Sequence, residues 1–382
     1  MEMSGGGKPP VRARHAGRLD LALYAFAGSL TQPAPHFAAA NGEGISVFRF
    51  DDEAGTLTAI GAPLRIEDAS WIAAGKGGSL YATTEMPDHR QSALAALNFD
   101  AVSETLRLLN VEPLGGLEAC HLSLDAAGET VFAASYGGHR EDGPDFGVAV
   151  MPMRADGSVA PASFLKRHEG KGPNAARQEA PHAHCVVPSP DGRFLFVADL
   201  GIDRLVAYEL PGMARRPDLD AALLPGLGPR HFLFDGAGRH LYLVSELIPT
   251  VVSFRYDAAS GRLEQLASLP IEPPAGGKDQ PAGIALSGDG RHLYVSLRLS
   301  DDILLLAIDE ATGMPHAVSR TPSGGVTPRD LKLSPSGRHL IVANQDSDRL
   351  TIFRRDAQSG ALTHRNDTEV GTPMTVALAE FA

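Results

Sequence analysis

The chain of 382 residues is long enough for two or three ordinary domains or for one large all-β unit. Its formal net charge of −12 argues against a generic nucleic-acid or anionic-membrane surface, and its two cysteines, Cys120 and Cys185, are too few for a disulfide-stapled scaffold. With 41 Gly and 28 Pro, the composition suits many short strands joined by turns and leaves little room for long helices.

Residues 1–18 are rich in Gly, Pro and Arg and are expected to form a disordered N-terminal tail, with residues 19–382 as a single domain. Within the tail, Ser4-Gly5-Gly6-Gly7-Lys8 lacks the preceding strand and following helix that a phosphate loop needs. The apolar run from Leu21 to Leu30 follows Arg12 and Arg14 but is not trailed by a clear cleavage signal, so it reads as a strand. No segment approaches the roughly 18 apolar residues of a membrane span. The expected compartment is the cytoplasm.

Strands are expected at Leu21–Ala27 and Ile45–Phe50, followed by a polar connector ending near Gly55. That connector returns at Tyr256–Leu263, Ile308–Met314 and Arg355–Leu362. A second recurring pattern is clearest in Pro181–Leu210: an apolar strand, a tight turn at Pro190-Asp191-Gly192, a strand at Phe194–Ala198, and a third strand at Arg204–Leu210. It comes back from Pro229 and from Pro328.

Gly77, Gly128, Gly192, Gly238, Gly290 and Gly337 register six such units, each with an aliphatic residue three positions later. A period of about 50 residues with four strands per unit points to a β-propeller blade. Six registered units plus the strands of Leu21–Ile60 predict a seven-bladed β-propeller of four-stranded antiparallel blades. The final strand, Gly371–Leu378, has nothing downstream to pair with and is expected to close the ring in the first blade. The segments Gly137–Phe146 and Leu165–Ala180 read as loops covering one face.

The same register aligns side chains at the strand ends. Eight residues before each ruler glycine stand Ala69, Cys120, His184, Arg230, Ala282 and Arg329; eight after it stand Glu85, Tyr136, Leu200, Glu246, Arg298 and Gln345. Antiparallel neighbours put both sets at one end of the ring, and charged groups are seldom buried without partners. The candidates for catalysis are therefore His184, Glu246, Arg230 and Arg298, with His182, Arg329, Tyr136, Glu85 and Gln345 as candidates for substrate binding. Singly, an Arg230–Glu246 pair or a lone His184 is equally well read as structural.

His182 and His184 lack a third ligand nearby in the sequence, and His121 and His231 fall one residue out of register, so no metal and no cofactor are expected. Neither a G-x-S-x-G elbow nor a dinucleotide-binding glycine pattern is present. Converging arginines suit a carboxylate, a phosphate or a developing oxyanion, while histidine and a carboxylate suit proton transfer. Those parts suffice to hydrolyse an activated cyclic ester.

The run Gly172-Pro173-Asn174 through Arg177-Gln178-Glu179-Ala180-Pro181-His182-Ala183-His184, with Ser189–Phe194, Ala198–Gly201 and Asp203-Arg204, resembles the propeller-type 6-phosphogluconolactonase and lactonase family. Gly228-Pro229-Arg230-His231 and Ser245-Glu246-Leu247 resemble two further motifs of that family. The resemblance spans the chain from about Leu21 and implies a seven-bladed propeller. In the fungal members that interconvert carboxymuconate and its lactone, functional His, Arg, Glu and Arg residues fall by motif on His184, Arg230, Glu246 and Arg298. The chain departs from the pattern in Ser296-Leu297-Arg298-Leu299, where many members carry an Asn-Arg motif, and in Lys278-Asp279-Gln280-Pro281.

The expected function is hydrolysis of a sugar-derived lactone, 6-phosphogluconolactone or a related aldonolactone, to the free acid. The partner implied is a small lactone bearing phosphate, carboxylate or hydroxyls, with neither nucleic acid nor membrane. Two alternatives stand beside this: cycloisomerisation of a carboxymuconate-type lactone, and a non-catalytic ligand- or protein-binding propeller.

Overall fold

The pattern of Pro181–Leu210 folds as three consecutive antiparallel strands, Ala183–Pro188, Phe194–Asp199 and Arg204–Glu209, whose middle member is buried at every residue. Such a strand is shielded on both faces, which is why it reads as an unbroken apolar run. The outer strands Thr105–Pro113 and Arg262–Pro270 are largely exposed on one side, and their sequences alternate accordingly. The computed structural model describes residues 21–33, 40–85, 90–137, 145–274 and 277–381. The expected tail 1–18 lies outside them, as do residues 138–144 of the predicted Gly137–Phe146 loop.

Among the described residues the strands form seven antiparallel sheets, six of four strands and one of five. The fifth strand arises where the outer edge of the fourth blade is split into Ala214–Arg215 and Ala221–Ala222, both paired with Arg204–Glu209. Closure follows the sequence reading: Pro373–Phe381 pairs with Ala22–Ser29 and becomes the inner strand of the first blade. The apolar core lies between adjacent blades. Phe194, Phe196 and Leu205 of the fourth, for example, pack against Phe232, Leu241 and Phe254 of the fifth.

The two ends of the ring are built differently. At one end, inner and second strands join through a recurring turn in which a serine hydroxyl accepts from the backbone N–H five residues later: Ser189 from Phe194 at 3.0 Å, Ser287 from His292 at 2.9 Å, Ser334 from His339 at 3.2 Å. Gly192, Gly290 and Gly337 supply the left-handed residue each turn requires, with φ of 69°, 74° and 70°.

At the other end, the pairing of inner and second strands is interrupted by a bulge at the start of every inner strand. A bulge inserts an unpaired residue and re-aims its side chain. In chain order the re-aimed residues are Ser70, Cys120, His184, Arg230, Ala282, Arg329 and, in the closing strand, Met374. The sequence register had placed Ala69 in this set. The second blade's turn is one residue shorter, since Gly75 bonds to Ser79 where Asp125 bonds to Thr130, and the equivalent residue is Ser70.

Candidate active site

Three residues of each blade meet at the bulged end. The residue immediately before the inner strand offers its carbonyl to the N–H of the residue just after the second strand: Asp68 to Glu85, Glu118 to Tyr136, His182 to Leu200, Gly228 to Glu246, Gln280 to Arg298, and Thr327 to Gln345, all at 2.8 to 3.0 Å. The bulge residue stands between them. In the first blade the same link runs from Thr372 to Leu30 at 3.1 Å, and five residues at the first of these positions (68, 118, 228, 327 and 372) have a left-handed backbone. This repeated link, not the chemistry of any one side chain, puts Glu85, Tyr136, Glu246, Arg298 and Gln345 at equivalent places around one opening.

The opening is a cavity of about 580 Å³ lined by Glu85, Tyr136, His184, Arg230, Glu246, Arg298, Arg329 and Gln345, eight of the nine residues expected from the sequence. Below it a neck of only about 10 Å³ is lined by the bulge residues Ser70, Cys120, His184, Arg230, Arg329 and Met374. Trp71 lies below with His121 and His231 packed on it at 4.4 and 4.9 Å between ring centroids. Its indole N–H donates to Leu122 O at 3.1 Å.

Glu246 is the hub. Arg177 Nη2 donates to its Oε1 at 2.6 Å, Gln280 Nε2 to the same oxygen at 3.2 Å, and Arg230 Nε to Oε2 at 3.0 Å. Arg298 Nη2 stands 2.8 Å from Oε2. Burial alone would push the Glu246 carboxyl up, but the guanidinium groups of Arg298 and Arg230, with Arg177 behind them, hold it well below the usual carboxylate range. It is therefore a fixed anion that orients three guanidinium groups, and a poor acceptor for a proton.

Arg298 is incompletely satisfied. Its side chain is 12% exposed, and among the described residues neither Nε nor Nη2 has a hydrogen-bond partner in good alignment. Burial works against its charge, and a guanidinium stays protonated, so the pair of N–H groups calls for a further acceptor. A carbonyl oxygen gaining negative charge fits that requirement.

His184 is 5% exposed, with Nε2 4.0 Å from Glu246 Oε2 and Nδ1 3.7 Å from Cys120 Sγ. Burial first, and the Arg230 charge second, hold its pKa well below the ordinary value, so the ring is neutral at neutral pH. Tyr136 packs edge-on against it at 5.7 Å, and its hydroxyl accepts from Arg177 Nη2 at 3.1 Å, which leaves the phenolic proton free to be donated. Across the cavity Arg329 Nη1 donates to Gln345 Oε1 at 3.1 Å and its Nη2 lies 3.8 Å from Glu85.

His182 is the expected residue that stands outside the cavity lining. Its ring stacks on Tyr136 at 4.4 Å, with Nδ1 2.9 Å from Tyr136 O and Nε2 3.0 Å from Glu179 Oε1. Both nitrogens are thus occupied, which also removes it as a metal ligand. Among the described residues no group of three or more His, Cys, Asp or Glu side chains could hold a metal ion.

Seven lining residues were absent from the sequence-based set, and three of them, Arg177, Glu118 and Gln280, bear on the chemistry. Arg177 comes from the Leu165–Ala180 loop, which does reach over this end, but no repeat register points to it. Glu118 and Gln280 stand ten residues before the ruler glycines Gly128 and Gly290. The counting that found the other positions, carried two residues further back, finds both.

A model of the family described as Lactonase, 7-bladed beta-propeller, matches residues 24–378. A protein of Bacillus subtilis (strain 168) named 6-phosphogluconolactonase is 29% identical over 322 residues, covering 84% of this chain and 90% of that one. Another of that name, from Formosa agariphila, is 28% identical over 345 residues, 88% of this chain and 94% of its own. Among solved structures, the periplasmic gluconolactonase PpgL of Pseudomonas aeruginosa superposes with a TM-score of 0.83 at 33% identity, over 93% of this chain and 99% of that one.

Proposed function

The chain belongs to the seven-bladed β-propeller lactonases, and from that premise we propose that its cavity hydrolyses a sugar-derived lactone, 6-phosphogluconolactone or a related aldonolactone, to the free acid. The observation that carries this reading is an incompletely satisfied Arg298 that shares one cavity, and the Glu246 carboxylate, with a buried, neutral His184. The lactone carbonyl oxygen accepts from Arg298, and Arg230 adds positive charge beside it. His184 takes a proton from the attacking water, and the ionised Glu246, 4.0 Å from its ring, stabilises the charge His184 acquires. The Tyr136 hydroxyl, Glu85, Gln345 and Arg329 bind the hydroxyls or anionic substituent of the sugar.

The test is a panel of sugar lactones, with and without phosphate, assayed below pH 7 to limit spontaneous opening. Acceleration of at least one over buffer is expected, and its loss by about 10²–10³-fold in Arg298→Ala matches removal of an oxyanion donor. No acceleration of any sugar lactone sinks the reading. Turnover of a carboxymuconolactone alone moves it to cycloisomerisation.

The compartment in this reading is the cytoplasm, and residues 19–382 act as one domain preceded by a tail. Cell fractionation tests the first against the periplasmic site named for PpgL, and limited proteolysis tests the second.

A further inference from the structure

Hydrolysing an aldonolactone requires two proton transfers: one from water as it attacks the carbonyl, and one to the ring oxygen as it leaves as an alkoxide. His184 serves the first. We propose that Glu118, which nothing in the family resemblance singles out, is the catalytic acid that serves the second.

Glu118 lines the same cavity as His184, Arg230 and Arg298. It is half-buried, and the equivalent positions of the other blades show what a merely structural side chain does there. Asp68 Oδ1 accepts from the N–H groups of Thr31 and Gln32 at 2.8 and 3.1 Å. His182 is tied to Tyr136 and Glu179. Gln280 donates to Glu246, the Thr327 hydroxyl donates to Asp346, and the Thr372 hydroxyl accepts from Asn41 N. The left-handed backbone at Glu118 (φ 52°) is shared by four other blades and is no mark of function. What sets Glu118 apart is its carboxyl, which makes no hydrogen bond among the described residues and faces the cavity.

The charges around it keep a proton on it. Burial is the largest influence, the carboxylates of Glu85 and Asp145 add to it, and Arg177 and Arg329 oppose both, leaving a pKa of about 7. A carboxyl with that pKa is half protonated at neutral pH, the condition in which a group transfers protons most effectively. Glu246, in the same cavity, is held ionised. Two carboxyls with opposed environments thus divide the labour of fixed anion and acid.

The step balances. Water's oxygen bonds to the carbonyl carbon as one of its protons passes to the His184 imidazole. The ring C–O bond then breaks, its electron pair stays with the ring oxygen, and the Glu118 carboxyl proton goes to that oxygen. The imidazolium proton returns through solvent to the Glu118 carboxylate, and the product acid ionises.

This inference rests on the proposed lactonase reading, and the experiment separates the two. The wild-type chain and Glu118→Gln are compared on whichever sugar lactone the wild type turns over, with kcat measured from pH 5 to 8 and the spontaneous rate subtracted. The wild-type kcat is expected to fall as pH rises through about 7, and Glu118→Gln to lose about 10²-fold or more together with that limb. Glu118→Asp, which keeps an acid, is expected to recover the limb at a reduced rate. A Glu118→Gln enzyme within threefold of wild type, or one that keeps the limb, overturns the assignment while the lactonase reading stands. So does a Glu118→Asp enzyme as inactive as Glu118→Gln.

Discussion

The turn end and the bulged end of the ring are made from the same strands by opposite rules. At the turn end the turns are capped a few residues away, as when Ser287 accepts from the N–H of His292, and the links between blades repeat as well, as when Arg193 and Arg291 donate to the carbonyls of Ala258 and Ala357 in the next blade. At the bulged end the backbone repeats but the partners come from elsewhere: Glu246 of the fifth blade holds arginines from the loop at Arg177 and from the sixth blade at Arg298. Links made through backbone repeat from blade to blade, whereas links from side chain to side chain let every blade carry a different one. The chemistry collects where the copies differ.

Substitutions can break this contrast, and the largest effect is expected from Glu246→Ala. It leaves buried guanidinium groups without their counter-ion, so activity should fall more than about 10³-fold and stability by about 3–5 kcal/mol, read by turnover and by the denaturant midpoint. Arg298→Ala removes an incompletely bonded cation but leaves Arg230 and Arg177 on Glu246, so the lactone rate should drop by about 2.7–4 kcal/mol of transition-state stabilisation while the unfolding midpoint moves less than in Glu246→Ala. A midpoint shift as large as that of Glu246→Ala would show Arg298 to be structural.

Glu118→Gln sharpens the contrast through pH. Because the folded state raises this carboxyl from 4.5 to about 7, the proton it prefers is retained below pH 4.5, and its stabilising contribution is lost as pH rises through about 7. The glutamine variant should therefore match wild type near pH 4 and exceed it by about 1–3 kcal/mol at pH 8 in urea unfolding. Equal stability at both pH values would contradict the burial that sets its pKa. The smallest effect is expected at the other end: Ser287→Ala should cost about 1 kcal/mol in the urea midpoint and leave turnover unchanged.

Much of this was legible in the sequence because strand registers are set by turns, and the turn glycines are visible. Counting from them brought out the ring, its closure and eight residues that line one cavity. Counting gives a position around the ring but not what a side chain finds there, so His182 read as a binding residue although Tyr136 and Glu179 occupy both of its nitrogens. Arg177 was hidden for the converse reason: a loop residue has no repeat to be registered against. Ala69 stood in for Ser70 because a turn shortened by one residue moves one flanking strand and not the other. Glu118 and Gln280 precede the inner strands, where strand alternation no longer tells which way a side chain points.

The closing strand Pro373–Phe381 is the innermost strand of the first blade rather than its outer one, and it delivers Met374 to the neck beside residues contributed more than 300 positions earlier. During synthesis, then, the neck stays open on one side until nearly the whole chain has left the ribosome. Any molecule that grips the finished cavity gains affinity from that last docking event, and by reciprocity it must shield the segment around Met374 from proteases.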